Sequence, residues 1–303
     1  VTMDHAEIIM NAHNFTKNAF FNITQFPRWM LLFFYIVGPI IVGFIAATIV
    51  LQLIVLPILV NLLVDHNFGF TRDVLSNILQ FFALLFGFSC IFFVPLMQGY
   101  CYRLFRSRDS MPDTGNILDL FINGWRINIT IIIYAIPLII ISIIYMLVFL
   151  CFFPYVGMYS TTCFFDMKEM IYVGMVFSYA VVQFITTLIV LLFAFIGITH
   201  LCLTDSIREA VSLKTITDII SKISWYDYIL SLVIMGILCL MVTFVVMSLL
   251  QLLSNNIVAM VVLYVFYIFA LVPITVFFIK YLSEIYDTAF LPEVVDNDEF
   301  DFF

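Results

Sequence analysis

Six long apolar runs, separated by short polar stretches, dominate the pattern of this 303-residue chain. None of them alternates apolar and polar residues with a period of two, so membrane strands are not indicated. Backbone surrounded by hydrocarbon must satisfy its own hydrogen bonds, which long apolar runs do as α-helices. Crossing a bilayer takes about 20 residues. The pattern therefore predicts an all-α polytopic membrane protein with six transmembrane helices, at about residues 29–63, 75–98, 126–150, 171–203, 225–252 and 257–282.

Three other stretches carry apolar residues at every third or fourth position, which is typical of amphipathic helices on a membrane surface. The first covers residues 1–28 and is expected to end at Pro27. The other two, called elbow one and elbow two here, occupy about residues 99–125 and 204–225. We expect all three to lie at the membrane interface, beside a membrane domain of residues 29–289.

The three tryptophans, Trp29, Trp125 and Trp225, all stand where an amphipathic stretch turns into an odd-numbered span. Their intervals of 96 and 100 residues are nearly equal. This spacing predicts three pseudo-repeats of elbow, span, hairpin and span. The alternative is that tryptophan simply favours membrane interfaces.

Composition agrees with a lipid environment, because 64% of the residues are hydrophobic and only 11% are charged. The mean hydropathy of +1.17 exceeds what a soluble domain carries. Part of the net charge of -8 comes from five acids within the last eleven residues, so we expect residues 290–303 to be a disordered tail. This balance argues against nucleic acid as a partner.

The basic residues are distributed unevenly over the polar stretches. Ten are on the side predicted for the termini and elbows, and only Arg72 and Lys168 are on the other side. By the positive-inside rule, both termini of a cell-membrane protein with this bias are cytoplasmic. The ten are Lys17, Arg28, Arg103, Arg106, Arg108, Arg126, Arg208, Lys214, Lys222 and Lys280.

Catalytic chemistry finds little support in the spans. No span has an acidic or basic residue near its centre, where a working group is usually conspicuous. We therefore predict no enzymatic activity, no cofactor and no metal, although His200 lies close to Cys202 and Asp205. Cys151 and Cys163 flank one predicted external loop and could pair.

Polar residues within the predicted spans are also compatible with a transporter. Gln183, Thr186 and Thr187 share one face of the fourth span, and several spans contain proline. Such features line substrate clefts in transporters, but they also serve as interhelical hydrogen bonds and simple kinks.

The elbows combine cations with aromatic rings, the side chains that bind lipid headgroups or a partner protein at a membrane surface. Alternatively, the cations only orient the protein. The candidate lipid- or partner-binding residues are Tyr100, Arg103, Arg106, Arg108, Trp125, Arg126, Arg208, Lys214 and Trp225.

Several of these positions resemble an uncharacterised multi-pass membrane family, known as domain of unknown function 4013 and found mainly in archaea and also in bacteria. The resemblance covers roughly residues 15–290, and the family supplies no catalytic residues. Its alternation of spans and elbows is also remotely similar to the membrane domains of bacterial glycerophosphodiesterases, whose catalytic barrel is absent here. The matching stretches are Gly99 and Tyr100 with Arg103 and Arg106; Pro112; Leu118 to Phe121 with Gly124; Tyr134 to Pro137; Arg208 to Ala210; Trp225 to Tyr228; and Tyr281 to Asp287.

Three functions follow as expectations. The first is a non-enzymatic membrane module that binds lipids or a partner protein through its elbows. The second is a permease or exporter with a cleft near Gln183. The third, an intramembrane lipid enzyme, lacks ionisable residues at depth.

Overall fold

A computed structural model of the chain describes residues 3–21, 25–61, 71–107, 110–158, 165–252 and 256–290. At residues 21, 152–158, 165–172, 250, 257, 261 and 264 it describes the backbone only. Throughout these ranges the regular structure is helical and contains no strand. The helices are α1 (His5–Phe21), α2 (Phe26–Val50), α3 (Leu56–Leu59), α4 (Arg72–Phe93), α5 (Leu96–Arg106), α6 (Ile117–Met158), α7 (Phe165–Thr204), α8 (Ile207–Ala210), α9 (Leu213–Ile223), α10 (Trp225–Leu252) and α11 (Ile257–Thr288).

Six of the helical stretches are long and apolar enough to cross a membrane. The predicted all-α class with six spans is therefore confirmed. The six stretches are Phe26–Leu59, Arg72–Arg106, Ile117–Cys151, Val173–Thr204, Trp225–Leu249 and Val258–Thr288. The three-fold pseudo-repeat stays a prediction.

The first span is irregular near the second of its two interior prolines. Pro39 lies within α2, whereas a π-helical turn, Leu51–Val55, precedes Pro57. Proline has no N–H to complete the regular backbone ladder, so a local change of helix type before Pro57 is expected. Within this turn, the Gln52 amide donates to the Ser76 carbonyl oxygen at 3.1 Å and accepts from its hydroxyl at 3.2 Å. These bonds tie the turn to α4.

Helix α1 packs on protein with its apolar side. Ile8 and Ala12 are 6% and 1% exposed, and the Trp29 indole N–H donates to the Ala19 carbonyl at 3.0 Å. The helix ends at Phe21, earlier than expected. Pro27 belongs instead to the first turn of α2, a position that proline suits because the N–H there has no helical partner.

Elbow one differs from the prediction in its second half. Residues 118–125 do not form a separate short helix but are the first turns of α6, which continues for 42 residues. Neither proline nor a positive backbone φ interrupts the start of α6, so nothing local separates an elbow helix from the third span. The helix begins after Asn116, whose positive φ of 57° and side-chain bonds to Asp119 mark the N-terminus.

Elbow two contains α8 and α9. The isoleucine stripe of α9 is buried within the protein, including Ile216 and Ile220 at 0% exposure, and α9 contacts α7. Its apolar face therefore packs on the chain itself rather than on lipid. Ser224, with a φ of 83°, separates α9 from α10.

The chain divides into two compact units. The first, called the N-terminal unit, consists of residues 4–128 and 235–284 and contains elbow one. The second, called the central unit, includes residues 129–234 and the described residues from Ile285 onward, and contains elbow two.

Candidate functional site: the two elbows

The elbow-one loop between α5 and α6 is held by the guanidinium of Arg103. Its Nη1 donates to the carbonyl oxygens of Asp113 at 2.9 Å and Gly115 at 2.7 Å, and its Nη2 to that of Asn116 at 3.4 Å. The Asp119 carboxylate lies 3.7 Å from Nη2. Arg103 is thus engaged internally, because several of its donors close the loop.

Three further donors reach the same loop from other helices of the N-terminal unit. Arg28 donates to the Met111 carbonyl at 3.1 Å, and the Tyr35 hydroxyl donates to that of Thr114 at 3.3 Å. The ammonium of Lys280 donates to the Ser107 carbonyl oxygen. Lys280 is only 4% exposed, and its nitrogen also lies 4.4 Å from the centre of the Phe15 ring. Elbow one therefore uses several cations to satisfy a backbone that forms no helix.

The Gly99 and Tyr100 pair lies at the base of elbow one. A Cβ atom built at Gly99 would overlap the carbonyl group of Leu120, so only glycine permits this approach of α5 to α6. Tyr100 is completely buried, and its hydroxyl has no hydrogen-bond partner in the part of the chain that the structure describes. Tyr100 therefore contributes to the packing beneath the loop and presents no ring to a membrane.

Pro95 breaks the second span just before this site, and two side chains repair the break. Proline cannot donate to the Ile91 carbonyl, and the Leu96 N–H bonds to Val94 instead of Phe92. The Gln98 amide donates to Ile91 at 3.4 Å, and the Asn128 amide donates to Phe92 at 2.7 Å. The sequence analysis noted that several spans contain proline but missed both amides. Their signal was the occurrence of buried-type amides close to a span proline.

The remaining candidates of elbow one occupy mixed positions. Arg106 is exposed, and it donates to the Tyr102 hydroxyl at 3.1 Å while its guanidinium carbon lies 4.8 Å from that ring centre. Trp125 and Arg126 are half-buried, with the Trp125 ring edge-on to Phe92. Arg108 lies outside the described residues, as do Cys163 and most of the acidic tail.

Elbow two presents its cations outward. Arg208, Lys214 and Lys222 are all exposed, and Lys222 lies 5.3 Å from the centre of the exposed Phe290 ring. At the start of α10, Trp225 is 41% exposed and Tyr226 is 73% exposed. We call these five residues, Arg208, Lys214, Lys222, Trp225 and Tyr226, the basic-aromatic surface. All five side chains are exposed, the cations on elbow two and the rings at the start of α10.

A hydrogen-bonded histidine lies under elbow two. His200 is 6% exposed, and its Nδ1 is 2.6 Å from the Tyr286 hydroxyl. Its Nε2 lies 3.4 Å from the carboxylate of Glu209, which is largely exposed. The arrangement joins the ends of α7 and α11 to α8. Among the described residues, no group of three His, Cys, Asp or Glu side chains is placed to hold a metal ion.

The two elbows share one kind of contact. In the central unit, the Tyr134 hydroxyl donates to the Ala210 carbonyl at 2.6 Å, next to Gly197, where a side chain would meet both groups. In the N-terminal unit, Tyr35 makes the corresponding bond to Thr114. The tryptophans are less alike, since Trp29 is 1% exposed and Trp225 is 41% exposed.

The polar face of the fourth span is mostly satisfied within its own helix. Thr186 donates to the Val182 carbonyl at 2.8 Å and Thr187 to that of Gln183 at 2.7 Å. The buried side-chain oxygen of Gln183 has no hydrogen-bond partner among the described residues. Only Gln183 therefore keeps an unused polar group on this face.

These features define the chain as a multi-pass helical membrane protein with two structured elbows. A family model described as a protein of unknown function (DUF4013) matches residues 81–252, which is more than half of the chain. The chain belongs to this family. The match includes both elbows, whereas the resembling stretch from Tyr281 to Asp287 lies beyond it. No curated protein and no solved structure matches the chain.

Proposed function

We propose that the protein is a non-enzymatic membrane module that binds anionic lipid headgroups on the basic-aromatic surface of elbow two, at the cytoplasmic face of the cell membrane. The supporting observation is that Arg208, Lys214 and Lys222 of elbow two are exposed, as are Trp225 and Tyr226 at the start of α10. Cations near a membrane attract anionic headgroups, and amphipathic rings settle at the headgroup level. Both kinds of side chain are available here without rearrangement.

Elbow one has a smaller part in this proposal. Arg103 and Lys280 already donate to loop carbonyls, and Arg28 does the same, so their donors are used to hold the backbone. Arg106 is the described cation of this elbow that reaches outward. Arg108 and Arg126 remain proposed contributors through their charge.

The size of the effect can be estimated. Each cation close to an anionic surface contributes about 1 kcal/mol. Removing two of them should therefore weaken binding by about 2 kcal/mol, on the order of 30-fold in affinity. The attraction is screened by salt, so the loss should shrink at high ionic strength.

The test uses purified protein in mild detergent, titrated with phosphatidylglycerol or phosphatidylcholine and observed by native mass spectrometry. The variant is Arg208→Gln with Lys214→Gln. The matched control, Arg72→Gln with Lys168→Gln, removes the same two residue types from the side predicted to be external. We expect the first variant alone to lose phosphatidylglycerol, with phosphatidylcholine binding unchanged in both.

Equal phosphatidylglycerol binding in the variant and the control would disprove the lipid proposal. If, instead, a protein that co-purifies with wild type is lost only from the Arg208 and Lys214 variant, the surface binds a protein partner.

A permease or exporter is the second candidate, and it rests on Gln183. An unpartnered amide oxygen is costly in a membrane interior unless something binds it. Gln183→Leu should abolish a measured solute flux if this oxygen contacts the solute, whereas Thr186→Val should leave the flux intact because Thr186 bonds to its own helix.

A further inference from the structure

A groove between α6 and α7 lies well away in sequence from both elbows. Its volume is about 260 Å³, and it is confined to the central unit. The lining contains two methionines, Met146 and Met175, with Phe149 and Val176. Three hydroxyl-bearing residues, Ser142, Tyr145 and Tyr179, complete it. Both helices belong to stretches that can span a membrane, so lipid-soluble molecules have access to this region.

Two of these hydroxyl groups, those of Tyr179 and Ser142, are joined by a hydrogen bond whose donor can be assigned. Ser142 donates to the Leu138 carbonyl at 2.9 Å, which uses its one hydrogen. Tyr179, 3.2 Å from the Ser142 oxygen, must therefore be the donor in that contact. Tyr145 packs its ring on that of Tyr179 with centroids 5.2 Å apart. Among the residues that the structure describes, the Tyr145 hydroxyl has no hydrogen-bond partner.

In water a hydroxyl group without a protein partner forms hydrogen bonds with the solvent, but in the membrane interior it has none to form. Hydrocarbon offers no acceptor, so a hydroxyl group left without a hydrogen bond there is unfavourable. None of the described residues that line the groove is charged, so these residues would not neutralise a charged ligand. The complementary ligand is neutral, soluble in lipid, and carries an acceptor oxygen.

The apolar lining narrows the class further. Methionine sulfur and aromatic edges pack well against flat, polarizable rings, and two methionines flank this groove beside Phe149. We propose that the α6–α7 groove binds the ring of a membrane quinone, with a ring carbonyl accepting from the Tyr145 hydroxyl and the isoprenoid-type tail lying along the lipid-facing helix surfaces. The proposal concerns binding only and is independent of headgroup binding at elbow two.

The groove is also small enough to be selective. At about 260 Å³ it is below the usual range of about 300 to 1,000 Å³ for drug-sized ligands, so it accommodates a headgroup ring rather than a whole lipid. An acyl ester of a bulk phospholipid also offers a carbonyl, but it lacks the flat ring that the methionine and phenylalanine side chains favour. The experiment must separate these two sources of an acceptor.

The test measures decylubiquinone binding to the full-length protein in nanodiscs of phosphatidylcholine, where the elbow cations have no anionic lipid to bind. An azido derivative of the quinone is photolysed, and the labelled peptides are identified by mass spectrometry. We expect labelling of the α6 and α7 segments around Tyr145 and Met175, with competition by unlabelled decylubiquinone.

Two variants and one control test the assignment. Tyr145→Phe removes only the donor and should weaken binding about 3- to 10-fold, as expected for one hydrogen bond between neutral groups. Val176→Trp should abolish labelling by filling the groove, and it keeps the proposal falsifiable if Tyr145→Phe folds poorly. The control, Tyr267→Phe, deletes a hydroxyl from a span outside the groove lining and should bind as wild type does.

Two results would overturn the proposal. One is labelling that Val176→Trp does not reduce, because the quinone would then bind elsewhere. The other is an absence of saturable binding, which would leave the carbonyls of bulk phospholipid as the acceptors for Tyr145. Neither result bears on elbow two, whose test uses a different lipid and different residues.

Discussion

Gly99 and Gly236 are both helical glycines, but a methyl group added at each would meet very different surroundings. At Gly99 it would overlap the Leu120 carbonyl, whereas at Gly236 nothing lies within 4 Å. We expect Gly99→Ala to destabilise the protein by about 2 kcal/mol or more, because α5 must move away from α6. Gly236→Ala should stabilise it slightly, by up to about 1 kcal/mol. Thermal unfolding in detergent measures both, and equal midpoints would contradict the close approach at Gly99.

Arg103 and Arg208 are both arginines of an elbow, and their different partners predict opposite phenotypes. Arg103 holds three loop carbonyls, and hydrogen bonds from a charged group are worth about 1.5 to 3 kcal/mol. The Arg103 side chain is partly exposed, and water compensates for part of the loss when it is replaced. We therefore expect Arg103→Gln to lower the free energy of unfolding by about 2 to 3 kcal/mol, the contribution of one such hydrogen bond rather than three. Its folded fraction should still bind phosphatidylglycerol.

Arg208→Gln should behave in the reverse way. Its exposed side chain predicts a stability within about 0.5 kcal/mol of wild type and a weaker interaction with phosphatidylglycerol. The two variants are compared by thermal unfolding and lipid titration on the same samples. A large stability loss in Arg208→Gln, or none in Arg103→Gln, would contradict the assignment of Arg103 to loop stability and Arg208 to lipid binding.

At the scale of the helical element, the break between α4 and α5 should behave as a coupled unit. Asn128→Leu removes the donor to the Phe92 carbonyl, and we expect the free energy of unfolding to fall by about 1 to 3 kcal/mol. Pro95→Ala supplies a backbone N–H and allows α4 to continue regularly into α5. Once Leu96 can bond to Phe92 again, Asn128 is no longer needed for that carbonyl.

The double-mutant cycle measures this coupling. The loss caused by Asn128→Leu should be smaller in the Pro95→Ala background by at least about 0.5 kcal/mol, the lower bound for residues of one network. Unfolding in denaturing detergent gives the four free energies. If the free-energy changes of the two single variants simply add in the double variant, the Asn128 hydrogen bond does not depend on the helix break at Pro95.

The sequence predicted the long elements well because hydrophobic length alone determines a span. It placed the fifth span at residues 225–252, and α10 covers Trp225–Leu252. It failed for residues 118–125, because an amphipathic stripe followed by an apolar run looks the same whether the helix is broken or continuous. The structure shows that the helix is continuous there, and that Gly124 packs closely against the Pro95 carbonyl.

The candidate site was harder to predict for a similar reason. Arg103 and Arg208 are equivalent in any count of basic residues, yet one closes a loop and the other is exposed. The difference depends on carbonyls that come within reach only after the chain has turned. Lys280 and Ser107, 173 residues apart, illustrate the point, since no local pattern relates them.

At the scale of the whole molecule, helix length constrains how the chain can sit in a bilayer. Helix α6 has 42 residues, which at 1.5 Å per residue is about 63 Å, roughly twice the hydrocarbon thickness of about 30 Å. Its ends must therefore tilt or project beyond the hydrocarbon. The start of α6 carries Asp119, whose carboxylate accepts from the Asn116 amide and lies 3.7 Å from the Arg103 guanidinium of elbow one.

The orientation of the molecule follows from its charge and can be tested directly. With ten cations on the elbow side and two on the other, the elbows should face the cytoplasm. In a background without the six native cysteines, Thr161→Cys should react with an impermeant maleimide on intact cells, and Ser221→Cys on the exposed side of α9 should react only after permeabilisation. The reverse labelling would place the basic-aromatic surface outside the cell. Headgroup binding would then have to occur on the outer leaflet, where the positive-inside bias offers no explanation for its cations.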